Sequence, residues 1–142
     1  MRIPLGVAEL WEARGTDKMS KIIEKPWGHE EIIIHTSKYV MKKIFIEAGQ
    51  RLSKQFHNEK DETVYVYRGV LHLDLSIDEG ESNIRKLQEG ETWRILPRTI
   101  HRFCAPPDEG VELFEVSTPE LEDVFRLSDD YGRSYDKIKQ KI

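Results

Sequence analysis

The sequence predicts an all-β fold, either a sandwich or a small barrel, built as one domain. Ten short runs with β-type patterning follow one another at intervals of about ten residues from residue 30 onward, which is typical of such folds. Turn-forming stretches such as NEKD and PPDEG separate these runs. Strands do not alternate with helices as in a Rossmann-type sheet, and there is no glycine-rich phosphate loop.

The predicted strands lie at residues 30–35, 39–46, 51–57, 62–68, 70–76, 83–88, 91–96, 101–105, 111–117 and 122–126. They place the folded domain at residues 25–133. Before it we expect a loosely held N-terminal arm at residues 1–24, or a short amphipathic helix through Val7, Leu10 and Trp11. After it, residues 134–142 form a polar C-terminal tail that either frays or forms a weak helix.

Composition limits the classes of function. The 142 residues suit a single domain, and the net charge of −4 argues against a nucleic-acid-binding surface. The single cysteine, Cys104, cannot form an internal disulfide, which is typical of a reducing compartment. No apolar run approaches the ~18 to 20 residues of a membrane span, and the first residues lack the apolar centre of a secretory signal. We therefore expect a soluble cytoplasmic protein that binds neither nucleic acid nor membrane.

The stretch from Gly49 to Gly69 carries a candidate metal site. Gln55 and His57 are two residues apart, so on a strand both side chains point to the same face. Glu62 follows a polar turn and begins the next β run, and an antiparallel return would bring its carboxylate opposite that pair. An imidazole, an amide oxygen and a carboxylate that converge on one point are suitable ligands for a divalent metal ion. A fourth ligand must come from elsewhere, and His101 is the best candidate.

The spacing of these residues resembles the two motifs of the cupin superfamily. The positions that match the first motif are Gly49, Gln55, His57, Glu62 and Gly69, with Gln where the first His is usual. Gly90 followed by His101 resembles the second motif. The chain further resembles the cupin domain of mannose-6-phosphate isomerases, through KPWG at 25–28, RLSKQFH at 51–57 and DVFRLSDDYGR at 123–133.

This resemblance implies a double-stranded β-helix, the jelly-roll barrel of cupins, with one bound divalent metal ion. The implied ligands are Gln55, His57, Glu62 and His101. Zinc or manganese is the expected metal, with iron or nickel as alternatives. The resemblance also implies a homodimer, since cupins commonly pair.

The second motif departs from the family pattern. Pro97 falls one place late, Arg98 stands where the family has Gly, and Ala105 replaces the usual Asn. We therefore expect a turn of different shape before His101.

The same resemblance implies a metal-dependent aldose–ketose isomerase that acts on a sugar or sugar phosphate. Such a reaction needs a base that moves a proton between C1 and C2. Lys42 is one candidate, because it shares a strand face with Val40 and Ile44, and burial disfavours the charged form of an amine. The alternative is that Lys43 points inward instead, or that neither lysine does. Glu115 is the second candidate base.

A sugar phosphate also needs a cationic contact. Arg51 is the first choice, because the predicted strand places it in phase with Gln55 and His57. The other candidates are Lys54, Arg126 and Arg133.

Three other functions fit the same motifs. An iron-bound cupin with open coordination positions can be a dioxygenase. A non-catalytic cupin could bind a sugar and use the metal structurally or lack it. Epimerisation of an activated sugar is a further alternative within enzymes.

Overall fold

The computed structural model describes residues 19–78 and 80–133. In this part of the chain there are eleven strands and no helix. The strands are β1 (Lys21–Lys25), β2 (Gly28–His35), β3 (Val40–Ile46), β4 (Lys54–Phe56), β5 (Glu62–Arg68), β6 (Leu71–Asp74), β7 (Ile84–Leu87), β8 (Thr92–Ile95), β9 (Arg102–Cys104), β10 (Val111–Ser117) and β11 (Phe125–Ser128).

The strands form three antiparallel sheets. The largest has six strands in the order β1-β2-β3-β10-β5-β8, a second has the order β7-β6-β9, and β11 pairs with β4 in a third. Apolar residues from the two larger sheets meet in one hydrophobic core, for example Ile44 and Leu113 from the first and Leu73 and Phe103 from the second. This arrangement confirms the predicted all-β fold.

Strand β3 illustrates how the sequence determines which residues face the core. Every second residue from Val40 to Ile46 is buried, and the residues between them are partly exposed. Each buried aliphatic side chain contributes about 1.5–3 kcal/mol by leaving water. Lys42 lies on this inward face and is 8% exposed. Lys43 lies on the outer face, where its ammonium forms an ion pair of 3.8 Å with Glu112.

Each of the ten predicted runs overlaps an observed strand, but the sequence prediction misses β1. Most of β1 is exposed, and it pairs only with β2, so it lacks the apolar alternation that marks an inner strand. Pro26 and Trp27 form the turn between the paired residues Lys25 and Gly28. Gly28 has a φ of 152°, and a Cβ atom there would lie 2.0 Å from the Phe45 carbonyl oxygen. Only glycine therefore allows β2 to lie this close to β3.

The predicted boundary between arm and domain falls at residue 24, inside β1. The alternative helix through Val7, Leu10 and Trp11 and the tail at 134–142 lie outside the described residues. Over the residues described, no helix has the length and apolar character needed to cross a membrane.

Candidate metal centre and substrate cavity

Two histidines and a glutamate converge inside the barrel. His57 follows β4, Glu62 begins β5 and His101 immediately precedes β9. One ligand atom from each of the three side chains lies within 4.8 Å of the other two. All three residues are buried, with exposed fractions of 2%, 1% and 0%. This His–Glu–His triad could hold a metal ion.

Hydrogen bonds fix the orientation of both imidazoles. Nδ1 of His57 lies 2.6 Å from the Asp123 carbonyl oxygen, and Nδ1 of His101 lies 2.8 Å from the Thr99 carbonyl oxygen. A carbonyl oxygen can only accept, so each Nδ1 carries a proton, and in the neutral ring Nε2 then presents a lone pair. The second nitrogen of each ring is therefore available as a ligand atom.

The two lone pairs point at a carboxylate. Nε2 of His57 lies 3.5 Å from Oε2 of Glu62, and Nε2 of His101 lies 3.3 Å from Oε1. Nε2 of both histidines and Oε1 of Glu62 have no hydrogen bond within the described protein, and Oε2 of Glu62 has a close contact of 2.9 Å with the Lys60 ammonium. Buried acceptors that face one another are costly unless a cation lies among them. The donor set, two imidazole nitrogens and a carboxylate, fits a divalent transition metal.

Gln55 lies beside this triad. Gln55 and His101 exchange both backbone hydrogen bonds, at 3.0 and 2.9 Å. The side chain of Gln55 lines the same cavity as His57, and its Oε1 accepts a hydrogen bond of 2.9 Å from Ser53. The predicted role of Gln55 as a fourth ligand stays a prediction.

A buried lysine joins two carboxylates next to the triad. The Lys60 ammonium lies 2.9 Å from Oε2 of Glu62 and 3.2 Å from Oε2 of Glu115. Burial raises the pKa of Glu62, and the positive charge of the Lys60 ammonium opposes this and lowers it. Burial raises the pKa of Glu115, and the negative charge of Glu62 raises it further. Lys60 itself stays charged, because the attraction of both carboxylates outweighs burial and raises the pKa of its amine.

The cavity beside the triad is lined by many cationic groups. These are Lys25, Lys42, Lys60, Arg126 and Arg133. Lys42 Nζ lies 3.4 Å from Oε2 of Glu30, and the side chain of Glu115 lines the same cavity. Burial lowers the pKa of Lys25, and the charges of Lys42, Arg133 and Arg126 lower it further against the opposing attraction of Glu30. An anion bound here would relieve this mutual repulsion.

Arg51 lies away from this cavity, in contrast to the prediction for it. It is not among the lining residues, and its guanidinium binds the Asp130 carboxylate through two hydrogen bonds of 2.6 and 2.8 Å. The reason is a break in the alternation: Leu52 and Ser53 are buried one after the other. Strand β4 covers only Lys54–Phe56. Arg51 lies outside the strand, so its side chain need not point to the same face as that of Gln55.

Residues 12–129 match the model of a protein family described as mannose-6-phosphate isomerase C-terminal. The chain belongs to this family.

Curated relatives of this mannose-6-phosphate isomerase C-terminal domain are named as mannose-1-phosphate guanylyltransferases, which differs from the family description. This chain is 30% identical over 125 residues to the mannose-1-phosphate guanylyltransferase ManC of Salmonella typhimurium. It is 28% identical over 125 residues to the mannose-1-phosphate guanylyltransferase of Escherichia coli K12. Each match covers 86% of this chain and 25% of the relative. The chain thus spans about a quarter of the length of these relatives.

A solved structure with the same fold is an RmlC-like cupin from Shewanella frigidimarina. The TM-score is 0.62 at 17% identity, over 78% of this chain and 97% of that one. This similarity confirms the predicted double-stranded β-helix.

The turn before His101 contains a left-handed residue at the position where the family pattern has glycine. Arg98 has a φ of 68°, the only positive φ of a non-glycine residue in the described ranges. Its backbone N–H donates a hydrogen bond of 2.6 Å to the His57 carbonyl oxygen. This conformation costs a residue with a side chain about 1–2 kcal/mol. The expected difference in turn shape stays a prediction.

Two residues next to the triad, Lys60 and Asp123, are not predicted from the sequence. Lys60 lies in the turn between β4 and β5, where strand alternation does not predict the direction of a side chain. Asp123 lies in the segment before β11, and its contacts with the 58–60 backbone span more than sixty residues of chain. The only sequence signal for Lys60 is its position two residues before Glu62. If β5 began two residues earlier, the two side chains would lie on the same face of the strand.

Proposed function

We propose that the chain is a metal-dependent isomerase that interconverts an aldose phosphate and a ketose phosphate, of the mannose-6-phosphate isomerase type. The observation that carries this proposal is the cluster of four buried acceptor atoms on His57, Glu62 and His101 beside a cavity lined by cations. The first feature suits a metal ion and the second suits a phosphorylated substrate.

The proposed metal ligands are Gln55, His57, Glu62 and His101. Zinc or manganese suits this set of nitrogen and oxygen donors, and iron or nickel are alternatives. A bound metal ion would polarise the sugar carbonyl and acidify the neighbouring C–H bond.

Glu115 is the base we favour. Isomerisation requires that C2 of the aldose lose a proton and that C1 gain one. A carboxylate whose pKa is raised by burial and by Glu62 accepts that proton more readily than an ordinary glutamate. Lys60 would hold this carboxylate in place through its contact of 3.2 Å. Lys42 stays a second candidate, since it lines the same cavity.

For the phosphate group we propose Lys25, Arg126 and Arg133 in place of Arg51. All three line the cavity, and Arg51 does not. Arg133 is held by a bidentate pair with Asp129, at 2.9 and 2.8 Å. A guanidinium fixed in this way presents its remaining N–H groups without further loss of side-chain freedom.

The test uses protein loaded with zinc or manganese and mannose 6-phosphate in deuterated solvent. NMR measures the exchange of the C2 hydrogen of the sugar with the solvent. We expect exchange together with formation of the ketose phosphate. Glu115→Gln should reduce the rate by about 100-fold or more, as expected for removal of a general base. Glu112→Gln is the matched control, because Glu112 lies on the same strand and pairs with Lys43 on the outer face. Absence of exchange with every metal would overturn the proposal.

A second candidate function is an iron-dependent dioxygenase. Two histidines and one carboxylate form the ligand set of many non-haem iron oxygenases, and this triad has that composition. Oxygen uptake by the iron-loaded protein would favour it. Binding of a sugar phosphate with neither exchange nor oxygen uptake would favour a non-catalytic sugar-binding cupin.

We also propose that the chain forms a homodimer through the outer face of the six-stranded sheet. Tyr65, Tyr67 and Val116 are 43–50% exposed on this face. Lys43 and Glu112 lie on the same face, so a copy related by a two-fold axis can match opposite charges. Light scattering should give twice the chain mass, and Val116→Lys should shift the mass toward the monomer.

A further inference from the structure

The backbone between two of the candidate ligands is held by one distant carboxylate. Oδ1 of Asp123 accepts a hydrogen bond of 3.0 Å from the Asn58 N–H. Oδ2 accepts bonds of 2.6 Å from Glu59 and 2.9 Å from Lys60. These three N–H groups belong to the residues that directly follow His57, in the turn that leads to Glu62. The turn therefore takes its shape from a side chain that comes from another part of the chain.

The same residue also orients the imidazole. The Asp123 carbonyl oxygen lies 2.6 Å from Nδ1 of His57. Asp123 thus binds the turn with its side chain and the histidine ring with its backbone. A shift of this residue would move the ring and the turn together.

Neighbouring residues fix the position of Asp123. Leu121 and Val124 line the cavity on either side of it. Beyond them, Phe125 pairs with Phe56 of β4, and the two rings stack with centroids 5.1 Å apart. The segment that carries Asp123 is therefore attached to the strand that precedes His57.

We propose that Asp123 is the positioning residue of the metal centre: it holds the 57–60 turn and the His57 ring in the geometry that binds the ion. This inference rests on the proposed metal centre. Groups that orient a metal ligand from behind typically change metal affinity by about 10- to 100-fold when they are removed. A turn without its hydrogen bonds to Asp123 would have to become ordered when the ion binds, and the entropy cost of this ordering would lower the metal affinity.

The test compares zinc affinity in Asp123→Ala and in the wild type by chelator competition, with the visible spectrum of the cobalt-loaded protein as a second readout. We expect an affinity loss of about 10- to 100-fold in Asp123→Ala and a changed cobalt spectrum, since the ring would sit differently at the metal. A change in global stability alone would leave that spectrum unaltered.

Asp130→Asn is the matched control. Asp130 lies in the same C-terminal segment and pairs with Arg51 and Arg102, but it makes no contact with the 57–60 turn among the described interactions. It should keep wild-type zinc affinity and the wild-type cobalt spectrum. If Asp123→Ala does not fold, Asp123→Asn serves instead, because an amide can accept only part of the three bonds and should give an intermediate loss.

Wild-type zinc affinity and cobalt spectrum in folded Asp123→Ala or Asp123→Asn would overturn this inference while the proposed isomerase stands. A wild-type protein that binds zinc but catalyses no exchange with any divalent metal would overturn the isomerase, and the affinity comparison would still decide the role of Asp123. A wild-type protein that binds no divalent metal would overturn both.

Discussion

The Lys60 ammonium lies 2.9 Å from a carboxylate oxygen of Glu62 in the interior of the barrel. The two residues are 4% and 1% exposed. The same ammonium also lies 3.2 Å from Glu115, so one buried cation faces two buried anions. Because Glu62 also belongs to the candidate metal centre, the ammonium and a metal ion would share one carboxylate.

Removal of the Lys60 charge should destabilise the metal-free protein strongly. Lys60→Met keeps most of the side-chain volume but leaves the Glu62 and Glu115 carboxylates buried without their common partner. We expect the free energy of unfolding to fall by about 3–5 kcal/mol, as for other buried ion pairs that lose one member. Urea denaturation in the presence of a chelator measures this change.

Lys43→Met is the control for loss of a lysine charge. Its ion pair with Glu112 is partly exposed and should contribute at most about 1 kcal/mol. Zinc should restore more of the unfolding free energy in Lys60→Met than it adds to the wild type, because it supplies the missing charge beside Glu62. Equal stabilisation of both proteins by zinc would show that the ammonium and the metal do not share this carboxylate.

Turnover by the proposed isomerase should fall on acidification through Glu115. Burial raises the pKa of Glu115, and the charge of Glu62 raises it further. A base acts only when it is ionised, so kcat should decrease as the pH falls through this raised pKa. The acid limb of a plot of log kcat against pH should therefore lie above the ordinary glutamate value of about 4.3. Full turnover at pH values below 4.3 would exclude Glu115 as the base.

Alternation along strands predicted the strand positions and the shared face of Gln55 and His57. The expected antiparallel pairing of the strands that carry His57 and Glu62 is wrong, because β4 pairs with β11 and β5 pairs with β10 and β8. His57 and Glu62 lie at the ends of neighbouring β runs, and a short turn brings such ends together. His101 is the best fourth candidate in the sequence, and its position after Gly90 resembles a family motif. Its backbone pairing with Gln55 explains why a residue so distant in sequence lies next to the others.

Alternation fails where a strand stops. Strand β4 has only three residues, and the inference for Arg51 extended its periodicity across Leu52 and Ser53, which are both buried. Lys60 lies in a turn, where no periodicity exists. The contacts of Asp123 depend on the path of the chain after β10, which no local pattern in the sequence encodes.

Acid should destabilise the fold through Asp123. Burial alone would raise the pKa of Asp123, but the backbone N–H groups of Glu59, Lys60 and Asn58 outweigh it and lower that pKa. A carboxyl group whose pKa is lower in the folded state stabilises the fold above its unfolded pKa of about 3.9. This stabilisation is lost as the pH falls from there through the folded pKa.

Urea midpoints measured between pH 6 and pH 3 should therefore fall less steeply in Asp123→Asn than in the wild type. The variant has no carboxyl group to protonate at this position, so it starts from a lower stability and has less to lose. Parallel curves for the two proteins would contradict a stabilising role for the ionised carboxylate.

Arg98→Gly should stabilise the protein. Arg98 has a φ of 68°, a conformation that costs a residue with a side chain about 1–2 kcal/mol. Glycine adopts it without strain but loses more backbone entropy on folding, by roughly 0.5–1 kcal/mol. The net gain should be about 0.5–1 kcal/mol. For a domain of this size that corresponds to a rise in Tm of about 3 °C.

Arg98→Ala separates the backbone effect from the loss of the side chain. Alanine also lacks the hydrogen bond of 3.3 Å from Nε of Arg98 to Asn58, but it retains the strain of a Cβ atom at positive φ. The alanine variant should therefore be no more stable than the wild type, and the glycine variant should exceed both in thermal unfolding. If the glycine and alanine variants have the same Tm, the backbone at this turn is not strained, and the left-handed conformation of Arg98 does not reduce the stability of the fold.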